Sequence, residues 1–442
     1  MHAPAVRRNL LLLALAAAGC SKPEPMMSTT AIEGGSGGAS GVMAPPASGG
    51  TGEAGTTSTA PTGGKPSETT TDAGTTSQDP GAAGTSAAGS GGMDAPEQAG
   101  TGGTVGEQAG AAGAAGMAGA PNMDKPNCSI GSDDGTPQPA PLSLSGNTFA
   151  HDPTMIEVDG TFYRFWTGDN IPSATSTDLM RWSNAPAVYR GGYPAWSREW
   201  LATVPDQTFN FPWAPDVSQF GGKFHLYSSF SARFGANISC ITHLTTTDIA
   251  AGDWTDHGPV ICSERSDRYN AIDADVGFDE EGAAWFSFGS FWDGIMLFPL
   301  DETGARKGDE PPTRIAWAPE IEAPVLFRRC EYFYLFVSHG TCCPGAQRPV
   351  GSLSYRVVVG RADNIRGPYI DKEGRPLTEE GGTLVVAGDR STFAAAGHSD
   401  ILVADDRIYH LYHAYRLPRG DAELRIVELR FDADGWPIPH DP

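Results

Sequence analysis

Five times after residue 150 the chain repeats one phrase. A polar or ionisable residue leads into an apolar run, then a turn, then a second apolar run. The copies are HDPTMIEVDGTFYRFWTG (151–168), WAPDVSQFGGKFHLYSSF (213–230), IDADVGFDEEGAAWFSFG (272–289), IEAPVLFRRCEYFYLFVS (321–338) and GHSDILVADDRIYHLYHA (397–414). Each reads as strand, turn, strand. Successive copies stand roughly 50 to 75 residues apart, enough for one small antiparallel sheet of about four strands. Five such sheets in a row, with no long stretch of helical periodicity, predict an all-β chain folded as a five-bladed β-propeller over residues 128–442.

Aligned on the first apolar residue, the position three earlier holds Asp152, Ala214, Asp273, Glu322 and His398. Innermost strands of a propeller line its axis, so these heads are expected to face one another. Ionisable groups gathered on a crowded axis are costly to bury unless paired or used; as isolated residues they would be ordinary turn formers. Two carboxylates flanking a sugar are the minimum for glycoside hydrolysis: one protonates the leaving oxygen, the other activates water or attacks directly. A third carboxylate can raise the pKa of the acid by like-charge repulsion. Asp152, Asp273 and Glu322 meet that requirement. Trp213, Phe230, Phe291 and Trp292 suit stacking on sugar faces, with packing inside the blades as the competing role of each. His151, beside Asp152, is either a pocket residue or a strand start.

The chain opens MHAPAVRRNLLLLALAAAGCSKPEP. Arg7 and Arg8 precede an apolar run, Leu10 to Ala18, too short to span a bilayer. Ala17-Ala18-Gly19-Cys20 resembles a bacterial lipobox, which implies a signal peptide over 1–20, lipidation of Cys20 and anchorage at the outer membrane or cell surface. Residues 21–127 are Gly, Ala, Ser, Thr and Pro with hardly an aromatic residue. Such a segment cannot offset its ordering entropy, so a disordered linker reaching roughly 60 Å is expected.

The chain carries 53 Asp and Glu against 30 Lys and Arg, a formal net charge of -23. That balance disfavours nucleic acid and polyanionic glycans and leaves neutral glycans open. Of 7 cysteines, six fall after residue 127 and suggest up to three disulfides in an exported chain. Cys240 with Cys262 is a plausible bridge across one blade. Cys342 and Cys343, being adjacent, either bridge each other or pair separately. No C-x-x-C pair suggests a metal.

Read together, AHDPTM (150–155), WAPDVS (213–218), YNAIDADV (269–276), SFGSFWDGI (287–295), IEAPVLF (321–327), SHGTCCPG (338–345), VVVGRADNIRGPY (357–369), GGTLVV (381–386) and AGHSDI (396–401) resemble, in order, the family 43 glycoside hydrolases and within them the α-1,5-L-arabinanases. The resemblance implies five blades and inversion at the anomeric carbon. It implies Asp152 as general base, Glu322 as general acid, Asp273 as the carboxylate that tunes the acid, and His398 as a ligand of a channel ion, usually Ca²⁺. Asn270, in the segment before Asp273, joins His151, Trp213, Phe291 and Trp292 as substrate-binding candidates. Two departures stand out. Asp273-Ala274-Asp275 replaces the family's usual Asp-Pro-Asn, so Asp275 shares a strand face with Asp273. Gly397-His398-Ser399-Asp400 replaces Gly-His-Asn-Ser and keeps the histidine.

The expected protein is a monomeric, surface-tethered hydrolase of arabinan. An exo-acting α-L-arabinofuranosidase or β-xylosidase on the same scaffold, and a glycan-binding propeller without catalysis, are the alternatives.

Overall fold

A computed structural model describes Cys128 and residues 130–442. The signal peptide, Cys20 and the linker over 21–127 lie outside the described residues. Each repeated phrase forms the two inner strands of a separate sheet. The first blade is Thr154–Val158, Thr161–Phe165, Ser173–Ser176 and Arg181–Ala185; the second is Trp213–Phe220, Lys223–Ser231, Ser239–Thr246 and Thr255–Ser263. The third is Asp275–Phe278, Ala284–Phe288, Ile295–Pro299 and Thr313–Ala316; the fourth is Ile321–Arg329, Tyr332–His339, Arg356–Ala362 and Thr383–Ala387. Phe393–Ala404, Arg407–Arg416 and Asp421–Glu428 make the fifth. Each innermost strand packs against the next, and the last against the first, which closes the ring. The five-bladed propeller expected from the repeats is the fold. Among the described residues one α-helix, Ala195–Thr203, interrupts it, setting Leu201 against Ala232 and Ile238.

The turns explain why the inner strands pair in register. Asp159-Gly160, Gly221-Gly222 and Asp405-Asp406 are two-residue hairpin loops with both residues at positive φ, the conformation whose twist matches that of the strands. Apolar faces meet between blades rather than within them. Val217, Phe224 and Leu226 pack on Phe165 of the first blade, and Val325, Tyr334 and Phe336 pack on Ile408, Tyr412 and Val427 of the fifth. Phe336 is fully buried, and Phe336→Ala would cost about 3–5 kcal/mol.

The start of the domain closes the circle. Ala150 N–H donates to Ala422 O (3.2 Å), Leu424 N–H to Thr148 O (2.8 Å) and Leu142 N–H to Ile426 O (2.8 Å), so residues 142–150 supply the edge that the three-stranded fifth blade lacks. Ser145 and Gly146 also pair with Arg181 and Trp182 of the first blade. Fully buried Arg164 donates to Phe149 O (2.9 Å) and Asn147 O (3.0 Å) and lies 4.3 Å from the Trp166 ring, clamping that segment in place. Cys240–Cys262 bridges neighbouring strands of the second blade, as expected, and Cys128–Cys330 ties the first described residue to the fourth. Cys342 and Cys343 bridge each other.

Candidate active site

Every blade begins with one residue in left-handed backbone: Asp152 (φ 53°), Ala214 (φ 43°), Asp273 (φ 59°), Ala323 (φ 54°) and His398 (φ 49°). The conformation is unfavourable for a residue with a Cβ and persists only when its surroundings hold it. They do so by one repeated device, in which each head amide donates to a side chain of the blade before it. Ala214 N–H reaches Thr167 Oγ1 (2.7 Å), Asp273 N–H reaches Ser229 Oγ (3.1 Å) and Ala323 N–H reaches Asp273 Oδ2 (3.2 Å). His398 N–H reaches Ser338 Oγ (2.8 Å), and Asp152 N–H reaches His413 Nδ1 (3.1 Å) across the closure. Strand register slips beside three of the heads, at Trp213/Asp216, Glu322/Val325 and Gly397/Ser399; such bulges re-aim side chains next to sites.

This geometry corrects the sequence alignment of the fourth phrase. Its head is Ala323, and Glu322 stands one residue earlier, in the position held by His151, Trp213, Ile272 and Gly397 elsewhere. Val325 and Leu326 are both apolar, so counting back from the first apolar residue slipped by one. The three acids still converge: Asp273 feels the charges of Glu322 and Asp152, and His398 those of all three.

Asp152, Asp273 and Glu322 are all buried, and their partners differ. Asp152 Oδ2 accepts from His151 Nδ1 (2.8 Å) and Thr167 Oγ1 (2.6 Å), and Oδ1 from His398 Nδ1 (3.0 Å). Burial would raise its pKa, but the His151 and His398 imidazoles override that and hold it well below the usual range, so Asp152 is ionised. Glu322 accepts from Ser290 Oγ (2.9 Å). Burial pushes its pKa up, the negative Asp152 adds to that, and Tyr355, His398 and Ser290 offset it in part. Burial, with Glu322 and Asp152, raises Asp273 well above the carboxylate range. Burial lowers His398, yet Asp152, Asp273 and Glu322 raise it overall to about 9. His413 is pushed well down by burial and by His151; being neutral, it can accept the Asp152 amide.

Two residues further along each strand lies a second tier: Thr154, Asp216, Asp275, Val325 and Asp400. These line one small cavity, about 10 Å³, together with Asp273, His398 and Ser399. Each acid braces the next blade: Asp216 accepts the Val276 amide, Asp275 Oδ2 the Leu326 amide (2.8 Å) and Asp400 Oδ2 the Met155 amide (2.9 Å). Burial and repulsion between carboxyls raise Asp216 and Asp275 well above the usual range, and burial raises Asp400 to about 6. Asp216 Oδ2 and Ser399 Oγ are buried without a hydrogen-bond partner. Such a donor set suits a hard cation.

Of the substrate-binding candidates, His151 is held against Asp152, and Trp213 is half-buried with Phe234 edge-on at 6.2 Å. Trp292 is exposed and its carbonyl accepts from Trp317 Nε1 (3.1 Å). Phe291 N–H donates to Ile321 O (2.7 Å), so this turn sits beside Glu322. Asn270 is buried, its Oδ1 unpaired. Phe230 is not a stacking platform: it is wholly buried against Phe209, Tyr189 and Trp196. Thr167, Ser290, Tyr355 and His413 escaped the sequence reading because all four lie outside the heads.

Residues 146–437 match the family model described as Glycosyl hydrolases family 43. The chain is 35% identical over 307 residues to an extracellular exo-α-(1→5)-L-arabinofuranosidase of Cellvibrio japonicus (strain Ueda107), covering 65% of this chain and 85% of the relative. It is 35% identical over 301 residues to an extracellular endo-α-(1→5)-L-arabinanase of Bacillus subtilis (strain 168), covering 66% and 88%. Among solved structures, an endo-arabinanase from Bacillus licheniformis superposes with TM-score 0.60 at 36% identity, over 67% of this chain and 99% of the other.

Proposed function

The chain belongs to glycosyl hydrolase family 43, and on that premise we propose that it cleaves α-1,5-linked L-arabinofuranose chains within arabinan, with inversion at the anomeric carbon. One observation carries the reading: neighbouring buried carboxyls are pushed in opposite directions, Asp152 towards the anion and Glu322 towards the acid. Such a split assigns base and acid. Asp152 takes a proton from water as its oxygen attacks the anomeric carbon, and Glu322 gives its proton to the departing glycosidic oxygen. The two protons then exchange with solvent, which restores both groups. Asp273 fixes the fourth blade, and with it Glu322, through the Ala323 amide. Trp213, Phe291 and Trp292 offer faces for flanking sugars, while His151 and Asn270 border the reacting ring.

A hard cation such as Ca²⁺ fits the lower tier. Asp216, Asp275 and Asp400 would hold it, with His398 joining through Nε2 on release of the proton there, and it would supply positive potential beneath the carboxyls. His398 already donates through Nδ1 to Asp152, an arrangement suited to a ligating imidazole.

The exo reading is supported by the Cellvibrio relative, at the same identity as the Bacillus one. Digestion of debranched arabinan separates the two: an early ladder of oligomers means internal cleavage, and monomer or one short product from the outset overturns it. The anomer first released, read by proton NMR, tests inversion. Both relatives are named extracellular, which supports an extracytoplasmic location, with Cys20 as the proposed lipid anchor and the chain acting as a monomer.

A further inference from the structure

Behind the proposed base stands a second line of contacts that ends at the Cys342–Cys343 bridge. Cys343 N–H donates to Tyr415 Oη (3.1 Å), Tyr415 Oη lies 2.9 Å from His151 Nε2, and His151 Nδ1 lies 2.8 Å from Asp152 Oδ2. Tyr415 is buried, and its ring stands edge-on to His413 at 4.8 Å. His413 stacks on His151 at 4.5 Å with 20° between planes, so the His151 ring can neither tilt nor turn freely.

Proton bookkeeping along this line has one direction. The Tyr415 oxygen accepts from an amide that can only donate, so its own proton is available to a neighbour. His151 Nε2 lies 2.9 Å from the hydroxyl, and Cys343 Sγ lies 3.9 Å from the hydroxyl and 3.7 Å from that nitrogen. A disulfide sulfur is a weak acceptor and the imidazole nitrogen a strong one. The Asp152 carboxylate can only accept, which places a proton on His151 Nδ1, and a Tyr415 hydroxyl donating to Nε2 matches that tautomer.

We propose that Tyr415 is a positioning residue for hydrolysis: held by the Cys343 amide, it fixes His151 in the Nδ1–H tautomer that orients the Asp152 carboxylate. The bridge to Cys342 closes a small covalent ring around that amide. Cys343 sits in left-handed backbone (φ 63°), and Arg348 Nη1 holds the Cys342 carbonyl at 2.7 Å, so the amide has a fixed direction. An Asp152 carboxyl free to rotate would spend less time aimed at the attacking water. Misplacements of about 1 Å in a reacting group cost as much as a hundredfold in rate. The inference rests on Asp152 being the base.

The test combines kinetics with a readout of the proton itself. In the purified full-length protein, long-range ¹H–¹⁵N spectra report which His151 nitrogen carries hydrogen, with His151→Gln used to assign the signal. The wild type should show Nδ1–H alone; Nε2–H, or protons on both nitrogens, overturns the proposal without any variant. Tyr415→Phe should lower kcat about ten- to a hundredfold with KM unchanged, and shift the His151 signal towards a tautomer mixture. The double variant Cys342→Ser, Cys343→Ser, which keeps Tyr415 and the amide, should lose less activity and show a partial shift. Wild-type kcat and an unmoved His151 signal in Tyr415→Phe would sink the relay. Full activity in Asp152→Asn would instead sink the assignment of the base, so the two failures are distinguishable.

Discussion

Two tiers of acids sit one pleat apart on the same strands, and they have opposite characters. The upper tier, Asp152 and Asp273 with Glu322 at its edge, is interleaved with His151, His398, Thr167 and Ser290. The lower tier, Asp216, Asp275 and Asp400, is held mainly by backbone amides, with hydroxyl donors from Thr154 to Asp400 and from Ser287 to Asp275, and its members repel one another. The backbone geometry is shared, so the difference comes from the donors each tier meets. Donors of varied strength let neighbouring carboxyls take different protonation states, as acid–base chemistry requires. Amide and hydroxyl donors without a bonded imidazole leave a like-charged cluster that is stabilised by protons or by a cation.

The contrast breaks first at its strongest point. Glu322→Gln and Asp152→Asn should each lower kcat on arabinan about 10²–10⁴-fold, with thermal midpoints close to wild type in differential scanning calorimetry. A lower-tier variant that matched those losses while keeping its stability would erase the division of labour.

Next in size is a pH effect on stability in chelator. Asp216, Asp275 and Asp400 have folded pKa values raised above their unfolded ones. Their stabilisation is complete below about pH 4 and is lost as pH rises through the folded value, which for Asp400 is about 6. That group alone is worth on the order of 3 kcal/mol between those limits. Asp152, with a depressed pKa, acts the other way, its contribution fading as pH falls below about 4. Chelated protein should therefore lose thermal stability from pH 4 to 7, and excess Ca²⁺ should flatten the curve. An equally steep curve with Ca²⁺ present would remove the cation from the lower tier.

Asp275→Asn sharpens the same point more gently. It should narrow the gap between the Ca²⁺-loaded and chelated melting temperatures at pH 7, by the equivalent of about 1.4 kcal/mol for each pKa unit of repulsion relieved. Smallest is Thr167→Val, which takes one donor from Asp152 and one acceptor from the Ala214 amide. At about 1.5 kcal/mol for a charge-assisted bond, kcat should fall roughly tenfold.

The upper tier was largely legible from the repeats, because each phrase carries its head beside an apolar run that fixes the strand. Glu322 was found for its chemistry and misplaced by one, since alternation cannot register a strand buried on both faces, as Val325 and Leu326 are. Asp275 was visible on the face of Asp273, but Asp216 and Asp400 were passed over. They fall at the same offset from their heads as Asp275 does, so the set stood in the repeats whatever the register of the fourth phrase. Thr167, Ser229, Ser338, His413 and Tyr415 lie on or just beyond second strands and act on the neighbouring blade. No local pattern joins residues whose partners lie across a ring closure.

That closure has a consequence for timing. Phe149 bridges Glu423, and three residues beyond it the chain places Asp152 against His413. The oldest part of the domain to leave the ribosome thus waits for the youngest before its carboxylate finds the imidazole that pins its amide. A chain halted between residues 322 and 413 holds the acid and the base in one molecule and has no working pair.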